Sequence, residues 1–426
     1  MASDSISYKL IGTEVSLYTG KARSYLRWKG VSYKSVLSSD AVYRELIKPY
    51  THIQSIPVLL ITHHGAGDQL EVIQDTKEIM DYFESKNPIL PETPKRAFAA
   101  SVLEILADEW LLLQAMYWRW GDGEYHVPAF NDQLSFLEFE FGRTSTSSTP
   151  FASTANIREV GNTRLQRFKA SLPALGITPT TSPVLREQFY ALLQAMEIHF
   201  ESNSFLLGKT ITMADFAWYG PFYAHLGRDP IPSSIIKTKA PSVWEWIERV
   251  GGAGRPHGID VQRWMNGKVV DEYDETVQDE IENDDVPSTL EAIVKLLAKD
   301  YFVVLNDTVN TTVGFIKKQQ SADGKKVKIP RAIGQAKYRL SRSDGTQAEG
   351  KRSVSTHGLW TLQRLVDRTY SSEAQQTATH AWLTQMNAGL SELWMDTIKR
   401  WQGSGCHMER EENQLVAVPQ SQGYRL

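Results

Sequence analysis

Three short stretches carry side chains and backbone that could do chemistry together. The first is Val15-Ser16-Leu17-Tyr18-Thr19-Gly20-Lys21-Ala22-Arg23, a hydroxyl-bearing turn between a strand pattern and a helical one. A helix N-terminus directs unpaired backbone N–H groups and the positive end of its dipole at whatever anion sits there, so a thiolate would be stabilised at this place. The second is Ile56-Pro57-Val58, where a proline that opens a strand leaves the preceding backbone free to pair with an extended peptide. The third is Gln74-Asp75-Thr76, a carboxylate and a hydroxyl beside the exposed N–H groups of a helix start. That combination suits an amino-acid head group carrying both charges. Ser16 also reads as a simple helix cap, and so does Asp75-Thr76, for which capping and binding are compatible.

The elements that must position these residues follow from the patterns around them. Residues 7–12 read as a strand, 20–30 as a helix stopped by Gly30, 31–37 as a second strand, and 40–48 as a polar helix. Residues 56–62 read as a strand entered through Pro57. After the turn at His63-His64-Gly65-Ala66-Gly67-Asp68 come a strand at 70–73 and a helix at 76–86. The order βαβ, helix, ββα builds a small mixed sheet, because the close ββ pair can be a hairpin while the earlier strands need a helical crossover. Proline lacks the ladder donor, so Pro57 belongs at a strand start or edge, where a cis Ile56-Pro57 bond fits. His63 and His64 have no third ligand nearby, and no metal site is expected.

From Pro94 onward the character changes. Residues 95–120 form a long apolar, Trp-rich helical pattern ending in Tyr117-Trp118-Arg119-Trp120, and helical patterns recur at 185–202, 213–227 and 241–250. Residues 144–156 are Ser/Thr-rich and read as a solvated surface loop, with a substrate lid as the alternative. Nine acids in the fifteen residues 271–285, without the spacing of a calcium loop, read as a solvated linker. Beyond it, 287–320 reads as one long helix, 336–341 and 347–354 as a hairpin across Ser343-Asp344-Gly345, and 356–370 and 372–401 as helices. The polar tail that follows reads as frayed.

Composition narrows the function classes. Of 426 residues, 46 are Lys or Arg and 50 are Asp or Glu, for a formal charge of −4, with no concentrated basic block, so nucleic acid is not an expected partner. No apolar run reaches ~18 residues and the N-terminus lacks a signal pattern, so a cytoplasmic protein without membrane association is expected. The single cysteine, Cys406, excludes a disulfide framework, Cys-based zinc sites and, before residue 406, any cysteine nucleophile. Thiol chemistry here must use a thiol brought in by a ligand.

The three stretches, in this element order, resemble the thioredoxin-like N-terminal domain of the glutathione transferase superfamily. An independent likeness is Leu206-Leu207-Gly208-Lys209-Thr210-Ile211-Thr212-Met213-Ala214-Asp215, which is similar to that family's Gly and Ser/Thr-x-Ala-Asp segment and reads physically as a capping box. The resemblance covers residues 7–250. It implies a thioredoxin-like α/β domain (βαβαββα) at 1–90 and an all-α domain at 95–260; the patterns above add an acidic linker at 261–285 and a mainly helical C-terminal extension with a small hairpin at 286–426.

Carried over position by position, the resemblance places the catalytic hydroxyl of the Ser-type classes at Ser16, with Leu17 standing where the family has proline. Tyr18, Thr19 and Tyr8 are the other nearby hydroxyls. It implies glutathione as cosubstrate, its cysteinyl part paired with the backbone of Ile56 before Pro57 and its γ-glutamyl end held by Asp75 and Thr76. Lys48, His52 and Gln54 lie in the segment that supplies side chains to the glycine carboxylate. An electrophilic, largely apolar second substrate would sit against the helical domain, with Tyr18, Tyr117, Trp118 and Trp218 as candidate pocket residues, although aromatic residues at helical spacing also read as core. The implied activity is glutathione transfer. The alternatives are a glutathione-dependent isomerase or bond-cleaving enzyme, or a non-catalytic binding or scaffold protein of the same fold, and a homodimer is implied throughout.

Overall fold

The computed structural model describes residues 5–65, 67–85, 88–121, 128–252, 262–265, 268–271, 284–320 and 326–420. Four strands open the chain: β1 (Ser5–Gly12), β2 (Tyr33–Leu37), β3 (Val58–His64) and β4 (Gln69–Gln74). Their spatial order is β2-β1-β3-β4, with β1 and β2 parallel and the other two pairs antiparallel. The crossover from β1 to β2 is helix α1 (Leu17–Trp28), and a helix at Thr76–Phe83 follows β4. The mixed α/β sheet read from the sequence is therefore present, with the hairpin formed by β3 and β4.

Where β1 and β3 pair at the end of β1, both faces of the sheet are buried. Ile11, Val58 and Leu60 join Ile47 on one side, and the alternating Leu10, Leu59 and Ile61 are buried on the other. Ile11 pairs with Val58, and Val58 with Gln74.

The rest of the chain is mostly helical, and it divides into two compact units that interleave in sequence. One comprises 1–89, 118–170 and 215–279; the other comprises 90–117, 171–214 and 280–426. The division cuts across the 95–260 segment. In the second unit the C-terminal extension shares its core with the helix Pro94–Ile105: the Phe98 ring meets Trp394 at 5.2 Å and Trp382 at 6.0 Å, and Trp394 meets Phe302 at 5.4 Å. Buried Asp300, on the long helix Ser288–Gln319, accepts from Gln188 (2.8 Å), from the Ser341 N–H (3.1 Å) and from the Ser341 hydroxyl (2.6 Å). One carboxylate thus ties that helix to the helix Ser182–Phe200 and to the hairpin of Ala332–Ser341 and Gln347–Ser355.

Two expectations for this region need correction. The pattern read as one helix over 372–401 is two helices, Glu373–Met386 and Ala388–Gln402, because Asn387 is extended and its side chain caps the second by accepting from the Gly389 N–H at 2.8 Å. The tail read as frayed is ordered through Pro419: Cys406–Glu411 and Gln414–Pro419 form a hairpin that adds to Val327–Ile329 in a three-stranded sheet. Its two-residue turn, Glu412-Asn413, has positive φ at both positions (49° and 62°), the geometry that matches strand twist.

Of the acidic segment 271–285, only Asp271, Asp284 and Asp285 lie within the described residues. Asp284 is a helix cap supplied from far along the chain. Its carboxylate accepts from the backbone N–H groups of Lys95 (2.7 Å) and Arg96 (3.0 Å) at the start of Pro94–Ile105, while Arg96 donates to the carbonyls of Asp285 and Leu207, both at 2.9 Å. Thr93, the residue in the local cap position, makes no side-chain cap bond. Asp284→Ala is expected to cost about 1–2 kcal/mol of stability, read as a lower urea midpoint at unchanged m-value.

Candidate functional site

Sheet register brings the three stretches to one end. Because β1 runs against β3 and β3 against β4, Ile11, Val58 and Gln74 lie side by side, so the chain continuing from β1, the chain entering β3 and the chain leaving β4 all emerge together. Ser16 follows β1, Ile56-Pro57 precedes β3, and Asp75-Thr76 follows β4. Lys48 and Gln54 are exposed on the segment that leads to Ile56, as is His52.

Ser16 is the N-cap of α1, with extended backbone and a side-chain oxygen that accepts from the Thr19 N–H at 3.3 Å. That bond uses a lone pair and leaves the hydroxyl proton to be donated. Thr19 is buried against Gly12, where any Cβ would lie 2.3 Å from its methyl, so its hydroxyl does not face a ligand. Tyr8 sits mid-strand, packed edge-on against Phe83 at 5.4 Å. Tyr18 is half-buried. Of the nearby hydroxyls, Ser16 is the one placed at the helix start.

The turn is held from below by a charge. Arg119, 1 % exposed, donates to the Val15 carbonyl at 2.7 Å, one residue before Ser16. Its guanidinium makes a two-pronged ion pair with fully buried Asp229 at 2.7 and 2.9 Å, and donates to the Ala224 carbonyl and to His225 Nε2 at 3.0 Å. His225 is buried; burial first, and the Arg119 charge second, push its pKa far down, so the ring is neutral and Nε2 accepts. Helix Met213–Pro221 approaches α1 so closely that a Cβ on Gly220 would lie 2.6 Å from the Leu17 carbonyl. Glu14, beside the turn, accepts from Arg23 at 2.5 Å and from the Tyr223 hydroxyl at 2.9 Å.

Asp75 has φ 88° and ψ 138°, a conformation a non-glycine residue seldom takes. Its carboxylate caps the Thr76–Phe83 helix by accepting from the Lys77 N–H at 2.9 Å, and Thr76 is buried beside it. The Ile56-Pro57 bond is cis, with Pro57 buried and Ile56 half-buried.

Residues 10–94 match the family profile described as glutathione S-transferase, N-terminal domain. The chain carries a glutathione S-transferase N-terminal domain. Among solved structures it is similar to a glutathione S-transferase from Xanthobacter autotrophicus Py2, at 19% identity over 60% of this chain and 96% of that one, with a TM-score of 0.33. It is also similar to beta-etherase LigF from Sphingobium sp. strain SYK-6 (16% identity, 59% and 96% covered, TM-score 0.35) and to a Tau class glutathione S-transferase from the mango, Mangifera indica (18%, 59% and 89%, 0.31). No curated protein matches the chain.

Within the unit that holds the glutathione S-transferase domain, Trp118 and Trp218 are core residues, 3 % and 0 % exposed, and Trp218 stacks on Phe222 at 6.1 Å. Tyr117, in the other unit, is 4 % exposed. The aromatic positions named as pocket candidates are thus packed inside, except Tyr18. Arg119, Asp229 and His225 were not singled out from the sequence. The available signal was a lone cation in the apolar run Leu111–Trp120, which implies a buried partner. No helix among the described residues is long and apolar enough to cross a membrane.

Arg119→Met leaves Asp229 buried without its cation, and a loss of about 3–5 kcal/mol is expected, measured by urea denaturation. Stability should also depend on pH. The unfolded chain protonates His225 below its ordinary pKa of about 6.5, while the folded state keeps it neutral, so unfolding takes up protons there. The contribution is complete above that pH and is lost as pH falls below it. Thermal melts from pH 7.5 down to 5 should show a falling midpoint with a shallower slope in His225→Gln.

Proposed function

We propose that the protein binds glutathione at this end of the sheet and activates its thiol for attack on an electrophilic, largely apolar small molecule. The observation that carries the reading is Asp75, a carboxylate in a strained backbone conformation, set by the Val58–Gln74 pairing beside the peptide chain that enters β3. A buried helix start holds Asp75 in place, and the same register sets Ser16 at the third corner. The glutathione S-transferase N-terminal domain match over residues 10–94 supports the ligand class.

Ile56 backbone pairs with the cysteinyl unit as an added strand, Asp75 and Thr76 take the γ-glutamyl ammonium and carboxylate, and Lys48 and Gln54 reach the glycine carboxylate. A free thiol of pKa about 8.5 is only a few per cent ionised at neutral pH. The Ser16 O–H and the first N–H groups of α1 both stabilise the charged sulfur, which lowers the thiol pKa and enlarges the nucleophile population. On this reading the protein is a cytoplasmic homodimer, as the family resemblance implies.

Calorimetric titration with glutathione tests the site. Micromolar to millimolar binding is expected, lost in Asp75→Ala. Ser16→Ala should still bind, but the bound thiol should titrate at higher pH in ultraviolet thiolate absorbance. No binding by the wild type would end the proposal, and an unchanged thiol titration would remove Ser16 from its role.

A further inference from the structure

We propose that Phe151 selects the electrophile, carried on a strap, residues 144–153, that crosses the site end of the sheet. The proposal rests on the glutathione reading above and adds the side of the site that faces the second substrate.

The Ser/Thr-rich stretch is exposed over 147–151, yet two of its hydroxyls tie it to the sheet end. Thr144, buried at the end of helix Pro128–Ser145, places its hydroxyl 3.2 Å from that of Thr13, and the Thr13 carbonyl accepts from the Ser16 N–H at 3.2 Å. Four residues on, the Ser148 hydroxyl lies 2.5 Å from that of fully buried Ser39, which caps the helix after β2. The neighbouring Ser38 N–H bonds back to the Gly12 carbonyl at the end of β1 (3.0 Å). The helix that follows the strap, Thr154–Lys169, adds an ion pair from Arg164 to Asp40. The strap therefore lies across the ends of β2 and β1.

Sheet order then decides which reactant it meets. Glutathione would occupy the β3 and β4 side, on Ile56 and Asp75, with its sulfur at Ser16 after β1. The carbon that the sulfur attacks must lie beyond it, on the β2 side, because the other side is filled by the peptide. Phe151 is three residues past Ser148, within about 11 Å of it. Its side chain is 103 % exposed and its φ is 53°, the left-handed region that a bulky residue rarely adopts. Trp118 and Trp218 are already covered by neighbours, whereas the Phe151 ring has its full face available to an apolar substrate.

The test compares phenethyl isothiocyanate with methyl isothiocyanate at saturating glutathione. In both, the thiolate sulfur bonds to the central carbon of N=C=S, a C=N pair moves to nitrogen, and nitrogen takes a proton from water, with no leaving group. Phe151→Ala should raise KM for the phenethyl compound about fivefold and change that for the methyl compound less than about twofold, with glutathione affinity unchanged. Phe151→Tyr should restore the wild-type ratio. Equal effects on both electrophiles, or none on either while glutathione still binds, would overturn the strap proposal alone. A wild type that binds no glutathione would overturn it together with the reading on which it rests.

Discussion

One buried charge pair underlies the candidate site. Arg119 and Asp229 are removed from water at 1 % and 0 % exposure, a costly arrangement unless every donor and acceptor is matched. The match is close: the guanidinium serves two carboxylate oxygens, two backbone carbonyls and a neutral imidazole. One of those carbonyls belongs to Val15. Beside the cap at 3.3 Å and the bonds of Thr13 and Glu14, this contact anchors the turn to the interior of the same unit. The helix start at Ser16 can point its N–H groups in one direction because its base cannot shift.

What was legible in the sequence was local. Ser16, Pro57 and Asp75 were readable because caps and strand-opening prolines are set by neighbours one to four residues away, and the hairpin and the helical crossover followed from loop lengths. Arg119 was visible only as an oddity, because its partners lie 104 to 110 residues away and nothing in a linear pattern pairs them. The φ of Asp75 was invisible for a related reason: a cap motif is written in residue types, and the strain comes from where β4 must end against β3.

The helical parts show the opposite failure. Their periodicity was read correctly as helix, yet a pattern of apolar residues does not say which partner covers them. Phe98 is covered by Trp382 and Trp394, far along the chain, which its periodicity could not indicate. The terminal hairpin was missed because its strands are short, the first ends in three consecutive charges, and Glu-Asn is a weaker turn signature than Asn-Gly. The Ser/Thr-rich stretch is exposed over most of its length, as composition suggests, but composition does not tell which of its hydroxyls, those of Thr144 and Ser148, bond across the sheet end.

The interleaving of the two units also sets a timetable for synthesis. The four strands and their helices are complete by residue 83, so the sheet can close early. Asp229 emerges long afterward, and at ordinary elongation rates the interval is on the order of ten seconds. During it the sheet exists while the turn at its end has no anchor, and Arg119, once made, has no counter-ion. The nascent N-terminal domain is therefore a sheet whose candidate site end is unfinished, and the second unit cannot close until the hairpin ending at Pro419 has left the ribosome.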